Sequence, residues 1–149
     1  MTEPDAGLNT SQIKTKAEKN GNGYVVNGKK LWTTTAQEAD KVMLLARTTP
    51  REAVKKPTDG LTLFYTDLDR KYCDVREIPK MGRAAVDSNE VFFDGLPVPL
   101  EDRVGEEGEG FKYILHSLNP ERILIGAEAV GLGQNALARA VEYLSLIHI

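Results

Sequence analysis

The sequence has one cysteine, one tryptophan, two histidines and no long apolar run. A single cysteine, Cys73, excludes an internal disulfide framework, and with two isolated histidines it makes no metal site. No apolar run approaches the roughly 20 residues of a membrane-spanning helix, and no signal peptide is visible. The formal net charge of -3 comes without a basic arm or stripe, which argues against nucleic-acid binding. A composition of 41% hydrophobic and 28% charged residues indicates a globular protein, and the single cysteine fits a reducing compartment.

The first two thirds of the chain read as short strands separated by turn residues. Asn27-Gly28 is a strong signal for a tight hairpin turn, because both residues tolerate positive φ. Lys41–Thr48 is a continuous apolar run that predicts a strand buried on both faces. The predicted strands are Gln12–Glu18, Tyr24–Asn27, Lys29–Thr34, Lys41–Thr48, Leu61–Thr66, Tyr72–Ile78 and Glu90–Phe93.

From Phe111 the apolar spacing becomes helical. Asn119-Pro120-Glu121 then predicts a second helix, with Asn119 as N-cap and Pro120 at the first helical position. Strands first and helices later predict an α+β fold in two structural units. The second helix is rich in small residues and is expected to end near Leu144, without the helical neighbours that such residues favour. We therefore expect residues 145–149 to be a foreign tail and the chain to be an internal piece of a larger protein.

Trp32 is followed by three threonines, Thr33 to Thr35. An indole beside hydroxyl groups suits a planar, hydrogen-bonding ligand, because the ring packs on a flat face and the hydroxyls bind polar edge atoms. The alternative is a strand whose tryptophan lies in a core and whose threonines are ordinary strand residues. The residues alone leave both interpretations open.

Four motifs occur in one order along the chain, and together they are far more specific than any one of them. They are Thr-Glu-Pro-Asp-Ala-Gly at 2–7, Gly-Tyr-Val-Val-Asn-Gly-Lys-Lys-Leu-Trp-Thr-Thr at 23–34, Lys-Met-Gly at 80–82 and Val-Gly-Glu-Glu-Gly-Glu-Gly-Phe at 104–111. In this order and spacing they resemble the acyl-CoA dehydrogenase family. The resemblance implies a β-barrel-like middle domain at 1–103, followed by the first helices of a truncated helical domain at 104–149.

The resemblance also implies FAD, bound between the middle and helical domains. Met1 and Thr2 would border the flavin ring. Trp32-Thr33-Thr34 stands where the family has Trp-Ile-Thr. Trp32 would then pack against the isoalloxazine, and Thr34 would hydrogen-bond near flavin N5. Together with Gly7, these five residues are the expected cofactor-binding set.

Two stretches depart from the family pattern. Gly7 would lie at the phosphate and substrate side of its loop, but the usual Ser-Asp that follows is Leu8-Asn9 here. Leucine has no hydroxyl, so only a backbone contact with substrate carries over to Leu8. The Arg83–Val86 run replaces an Arg-Gly-Ser pattern, and we assign it no function.

The family chemistry requires a carboxylate base near the substrate α-carbon. Enzymes that resemble isovaleryl- and long-chain acyl-CoA dehydrogenases carry this base immediately before an arginine, and Glu121-Arg122 matches that arrangement. Glu121 is therefore the candidate base, while Asn119 and Arg122 stand at positions that help to hold the CoA portion. The alternative for Glu121 is an acid favoured in a first helical turn by the helix dipole.

The resemblance implies an oxidoreductase of fatty-acid metabolism and β-oxidation, which removes an α,β hydrogen pair from an acyl-CoA thioester. Its electrons would pass to an electron-transfer flavoprotein, and the complete protein would be a homo-oligomer, usually a tetramer. The expected compartment is the bacterial cytoplasm or the mitochondrial matrix. Two alternatives stay open, an acyl-CoA oxidase and a non-catalytic domain that binds a ligand or partner. The 149 residues alone are expected to be inactive.

Overall fold

The computed structural model describes residues 1–148 and shows a strand-rich part followed by one long helix. The predicted order, with strands first and helical structure later, is confirmed. The elements are β1 (Lys16–Asn20), β2 (Gly23–Thr34), β3 (Lys41–Arg47), β4 (Leu61–Asp67), β5 (Cys73–Glu77), β6 (Ser88–Pro99), β7 (Arg103–Val104) and α1 (Gly110–Ile147).

The strands form one sheet in the order β5-β6-β2-β1-β3-β4-β7. Neighbours pair antiparallel, except that β1 and β3 meet in parallel at Lys16 and Arg47. Alternate residues of β6 are buried, as the two-residue period of a strand requires. The largest buried side chains of this core are Tyr24, Val26, Leu44, Phe64, Val91, Phe93, Leu96 and Val98.

The tight turn predicted at Asn27-Gly28 is wrong, because β2 continues through both residues. Gly28 pairs with Phe93 of β6, beside a register shift that marks a bulge. The tight turn lies at Gly21-Asn22, between β1 and β2, where Gly21 has a φ of +58°. A Cβ on Gly28 would lie 2.5 Å from Oγ1 of Thr15, so close packing requires glycine there. Asn-Gly occurs at 20–21, 22–23 and 27–28 with the same local signal, and the long-range pairing of Gly28 with β6 excludes a turn at the third pair.

Two strands differ in extent from the prediction. β1 begins at Lys16 rather than Gln12, because Thr10–Gln12 forms a short 3₁₀ turn. β6 extends well beyond the predicted Glu90–Phe93 and includes Pro97. The proline is tolerated because β5 stops pairing before that end of β6, which leaves one edge without a neighbour. β3 is buried on both faces only in its second half, so the predicted burial is wrong for its first half.

The predicted break between two helices is absent, because α1 runs continuously through Pro120. Asn119 therefore lies inside the helix and is not its N-cap. A proline inside a helix removes one backbone hydrogen bond, but the helix here is long enough to continue on both sides. α1 also extends to Ile147, past the predicted end at Leu144.

The chain divides into two compact units, Met1–Tyr113 and a helical unit that begins at Ile114. The domain boundary expected between residues 103 and 104 stays a prediction. Many large apolar side chains of the helical unit are exposed, among them Leu132 and Leu137. Within residues 1–148 no helix has both the length and the apolar character needed to cross a membrane. The expected foreign tail stays a prediction, and its last residue lies outside the described part.

Candidate functional site

β2 carries a bulge at Trp32, where its pairing with β6 shifts register between Lys30 and Thr33. Trp32 has a φ of +61°, in the left-handed region that a bulky residue rarely adopts. Trp32 is 54% exposed, so the structure does not place it in the core. Backbone strain of this kind clusters at ligand-binding positions. The bulge therefore presents a flat aromatic side chain to solvent from a defined backbone.

Asn89 of β6 holds the opposite side of the bulge. Its side chain is buried, and Nδ2 donates to the carbonyl oxygen of Thr33 at 3.0 Å and to the Asp87 carboxylate. Its Oδ1 accepts from Nε2 of Gln37 at 2.9 Å. Both polar atoms of this buried amide are satisfied, which makes the network rigid. Asn89 thereby fixes the backbone that follows Trp32.

Thr34 lines a small cavity of about 150 Å³ beside the bulge. The opposite wall is the loop at 80–86, which Lys80 shapes by donating from Nζ to the carbonyl oxygens of Arg83, at 3.0 Å, and Val86. The lining residues are Thr34, Lys80, Met81, Gly82, Arg83, Val86 and Ser88. Arg83 and Val86, from the run to which we assign no function, thus line the same cavity as Thr34.

The N-terminal segment runs beside the same part of β2. The carbonyl oxygen of Thr2 accepts from the Leu31 amide at 2.8 Å, one residue before Trp32. Glu3 is buried and forms an ion pair with Lys30, with 2.7 Å between Oε1 and Nζ. Burial alone would raise the pKa of Glu3, but the Lys30 ammonium and hydrogen bonds to the carboxylate together hold that pKa below its ordinary value. Met1 joins this cluster through its carbonyl oxygen, which accepts from Lys30.

Gly7 and Leu8 occupy an exposed bend that follows the short turn between Glu3 and Ala6. Ala6 is buried and anchors that turn. A Cβ on Gly7 would meet no atom within 4 Å, so packing in this chain does not demand glycine there. The predicted roles of Gly7 and Leu8 toward phosphate and substrate stay predictions.

Asn119, Glu121 and Arg122 lie on one stretch of α1, in the helical unit, and all three are exposed. Nη1 of Arg122 donates to Oδ1 of Asn119 at 3.1 Å. The Asn119 side chain is thus engaged by Arg122 instead of capping a helix. The structure brings the two proposed CoA-binding side chains together, with Glu121 between them in sequence.

A second polar cluster ties the loop before α1 to the sheet. The hydroxyl of Tyr24 donates to Oε2 of Glu107 at 2.8 Å, and Nζ of Lys19 lies 2.9 Å from the same oxygen. Nη1 of Arg103 lies 3.6 Å away from it. Three partners on one carboxylate fix the loop from which the helix starts.

Sequence reasoning missed Asn89, Glu107 and the Glu3–Lys30 pair. A signal for Asn89 was present, since the two-residue period places it on the same strand face as Val91 and Phe93. No local pattern joins residues as distant in sequence as Glu3 and Lys30.

Two family models match the chain. The acyl-CoA dehydrogenase middle domain matches residues 1–96, and the acyl-CoA dehydrogenase C-terminal domain matches residues 108–146. The chain therefore belongs to the acyl-CoA dehydrogenase family. Its fold is that of the middle domain with the start of the helical domain.

Individual relatives agree with this assignment. The cyclohex-1-ene-1-carbonyl-CoA dehydrogenase of Syntrophus aciditrophicus is 35% identical, over 95% of this chain and 34% of its own length. The long-chain specific acyl-CoA dehydrogenase of Sus scrofa is 36% identical, over 97% of this chain and 33% of its own. The crystal structure of an acyl-CoA dehydrogenase from Geobacillus kaustophilus superposes with a TM-score of 0.78 at 36% identity, covering 84% of this chain and 33% of that one. The chain thus spans about a third of the length of these relatives.

Proposed function

We propose that this chain is part of an FAD-dependent acyl-CoA dehydrogenase that removes an α,β hydrogen pair from an acyl-CoA thioester. The observation that carries the proposal is the Trp32 bulge. A half-exposed indole is held in a strained backbone by buried Asn89, inside a unit that matches the family's middle domain. Strain that neighbours maintain at an exposed aromatic residue is better explained by ligand binding than by folding.

The residues at the bulge fit a flavin ring. Trp32 offers a flat apolar face, while Thr33 and Thr34 offer hydroxyl and backbone groups for polar ring-edge atoms. Met1 and Thr2 lie beside the same strand through the Thr2–Leu31 hydrogen bond. When bound, FAD supplies the acceptor for the β-hydride of the substrate. Trp32 would orient the ring, and Thr34 would hydrogen-bond near the accepting nitrogen.

Glu121 is the proposed base. The thioester carbonyl acidifies the α C–H of the substrate, and a carboxylate within reach can remove that proton. An ordinary glutamate is a weak base, so the complete protein must exclude water from Glu121. Glu121 is exposed on α1 of this chain, and its covering would come from the rest of the protein and from the acyl group itself.

Asn119 and Arg122 are proposed to hold the CoA portion. Their mutual hydrogen bond of 3.1 Å orients the guanidinium of Arg122 before substrate arrives. A preoriented guanidinium suits the phosphate groups of CoA. Gly7 would contribute a backbone contact with a phosphate group, and Leu8 would contribute a backbone contact with substrate. We further propose an electron-transfer flavoprotein as electron acceptor and a homotetramer as the complete assembly.

Purification of the complete protein that contains this chain tests the proposal. We expect about one FAD per subunit and loss of the flavin's visible absorbance when an acyl-CoA is added without oxygen. Absence of flavin would contradict the proposal and favour a non-catalytic binding domain. If the reduced protein instead consumes oxygen at the rate of turnover, the protein is an acyl-CoA oxidase.

A further inference from the structure

A buried ion pair that the proposed reaction does not use involves β2 two residues before the Trp32 bulge. The side chains of Lys30 and Glu3 are only 4% and 5% exposed. Lys30 stands two positions before Trp32 on β2, and Glu3 follows the segment that runs beside that strand. The pair therefore lies where the N-terminal segment joins β2.

The Glu3 carboxylate gathers several donors. Its Oε1 accepts from Nζ of Lys30 at 2.7 Å and from the Thr15 amide at 3.1 Å. Its Oε2 accepts from the Lys14 amide at 2.5 Å. Nζ of Lys30 also donates to the carbonyl oxygen of Met1 at 3.3 Å. The pair thus connects the N-terminal segment, the residues before β1 and the middle of β2.

This arrangement specifies a position more than it stabilises a core. Removing two charges from water offsets most of their mutual attraction, and an apolar pair of similar volume often serves a fold equally well. An ion pair with directed hydrogen bonds, in contrast, fixes where each backbone lies. Here the fixed backbone includes Thr2, whose carbonyl oxygen accepts from the Leu31 amide at 2.8 Å.

We propose that Glu3 and Lys30 are positioning residues, which fix the Met1–Thr2 backbone against Leu31 and so shape the bulge at Trp32 for the flavin ring. The part of this inference that concerns flavin rests on the function proposed above. The part that concerns the backbone stands on the hydrogen bonds of this chain alone. Neither residue touches the reacting atoms.

Hydrogen exchange at the Leu31 amide in the 149-residue chain tests whether Glu3 and Lys30 fix the Met1–Thr2 backbone against Leu31. The variant is Lys30→Met combined with Glu3→Gln, which removes both charges together and keeps an oxygen acceptor at position 3. We expect Leu31 to exchange at least about tenfold faster than in the parent, while the Phe64 amide on the other side of the sheet is unchanged. An unchanged Leu31 rate would overturn the proposal.

Lys29→Met is the matched control. Lys29 is the neighbouring residue on β2, and its ion pair with Glu90 lies at the surface. Because exposed ion pairs contribute little to stability, the exchange rate of the Leu31 amide in the control should stay within about threefold of the parent rate. If the double variant does not fold, Glu3→Gln alone repeats the measurement with nearly unchanged side-chain volume, and an unchanged Leu31 rate again overturns the proposal.

The complete protein tests the flavin part. We expect the double variant to raise the FAD dissociation constant by about tenfold or more and to shift the visible absorbance band of bound flavin, whereas Lys29→Met does neither. Faster Leu31 exchange with unchanged flavin affinity and spectrum would overturn the positioning role and leave the proposed function intact. A parent protein without flavin would instead refute the proposed function. The exchange rate of the Leu31 amide would still decide whether Glu3 and Lys30 fix the Met1–Thr2 backbone.

Discussion

Trp32 adopts a φ of +61°, where an L-residue with a large side chain loses about 1–2 kcal/mol relative to its ordinary backbone conformations. The pairing of β2 with β6 and the buried amide of Asn89 maintain this conformation. The fold therefore stores strain at the residue that the family resemblance assigns to the flavin.

Replacing Trp32 by glycine and by alanine separates backbone strain from side-chain packing. We expect Trp32→Gly to be more stable than Trp32→Ala by about 1 kcal/mol, because glycine adopts positive φ freely. Urea denaturation followed by circular dichroism measures the difference in the free energy of unfolding. At Lys29 the order should reverse, since glycine in an extended strand is less stable than alanine by about 0.5–1 kcal/mol. The same order at both positions would show that Trp32 is not strained.

Glu3 gives the protein a specific acid sensitivity. Its folded pKa lies below the ordinary value of 4.5, so its carboxylate stabilises the fold fully above that pH. The stabilisation is lost as the pH falls through the folded pKa, because the unfolded chain binds the proton more readily. We expect the free energy of unfolding to fall more steeply below about pH 4.5 in the parent than in Glu3→Gln. Equal slopes in acid titrations of the two proteins would contradict this.

For single residues, the sequence shows which residue types are present but not which environments surround them. It located Trp32 and its threonines, because their motif is local. The bulge that gives Trp32 its positive φ depends on pairing with β6, which lies far away in the chain. Asn89 belongs to β6, and its partners Thr33 and Gln37 lie 56 and 52 positions away from it. The ion pair of Glu3 with Lys30 likewise joins residues 27 positions apart, which no short pattern specifies.

α1 is a long helix whose glycines occupy very different surroundings. A Cβ at Gly131 would meet no atom within 4 Å, whereas a Cβ at Gly110 would lie 2.4 Å from the amide nitrogen of Leu63. Glycine is therefore required at the first position by close packing on the sheet. At Gly131 nothing in this chain requires it.

Alanine substitutions at these two glycines should act in opposite directions in the 149-residue chain. Gly131→Ala is expected to increase helicity and to stabilise α1 by about 1 kcal/mol, because alanine is the better helix former. Gly110→Ala is expected to destabilise the fold by about 1–3 kcal/mol through overcrowding. Far-UV circular dichroism and urea denaturation measure both effects. A loss of helicity in Gly131→Ala would mean that α1 packs against a partner there.

Element type could be predicted from the sequence more completely than element boundaries. The alternating pattern located most strands, and the period of apolar residues located the helix. A tight turn is wrongly expected at Asn27-Gly28 because Asn-Gly occurs at 20–21, 22–23 and 27–28, and only the distant pairing of Gly28 with Phe93 on β6 excludes a turn there. The prediction of two helices is wrong because Asn119 and Pro120 carry the local signals of a helix start. Whether one helix continues through Pro120 depends instead on the helical residues on both sides of it.

The 149-residue chain as a whole would provide only one part of the proposed cofactor site. The bulge lies in the strand-rich unit, and the proposed base lies on the helical unit. The chain spans about a third of the length of its relatives, so further walls of a flavin and acyl pocket would come from outside it.

We therefore expect the 149-residue chain to bind FAD weakly or not at all. After incubation with FAD and gel filtration, the protein peak should carry far less than one flavin per chain. The complete protein, treated in the same way, is the control and should keep its flavin. Stoichiometric flavin on the short chain would show that the bulge and its surroundings suffice for binding.

The most direct test of the whole account is anaerobic reduction by acyl-CoA of the complete protein carrying Glu121→Gln. Glu128→Gln, on the same helix, is the matched control and should react at the parental rate. We predict that Glu121→Gln keeps its yellow flavin but is reduced at least about 10²-fold more slowly, since a positioned base contributes a factor of about that size or more. Reduction of Glu121→Gln at the parental rate would contradict the account.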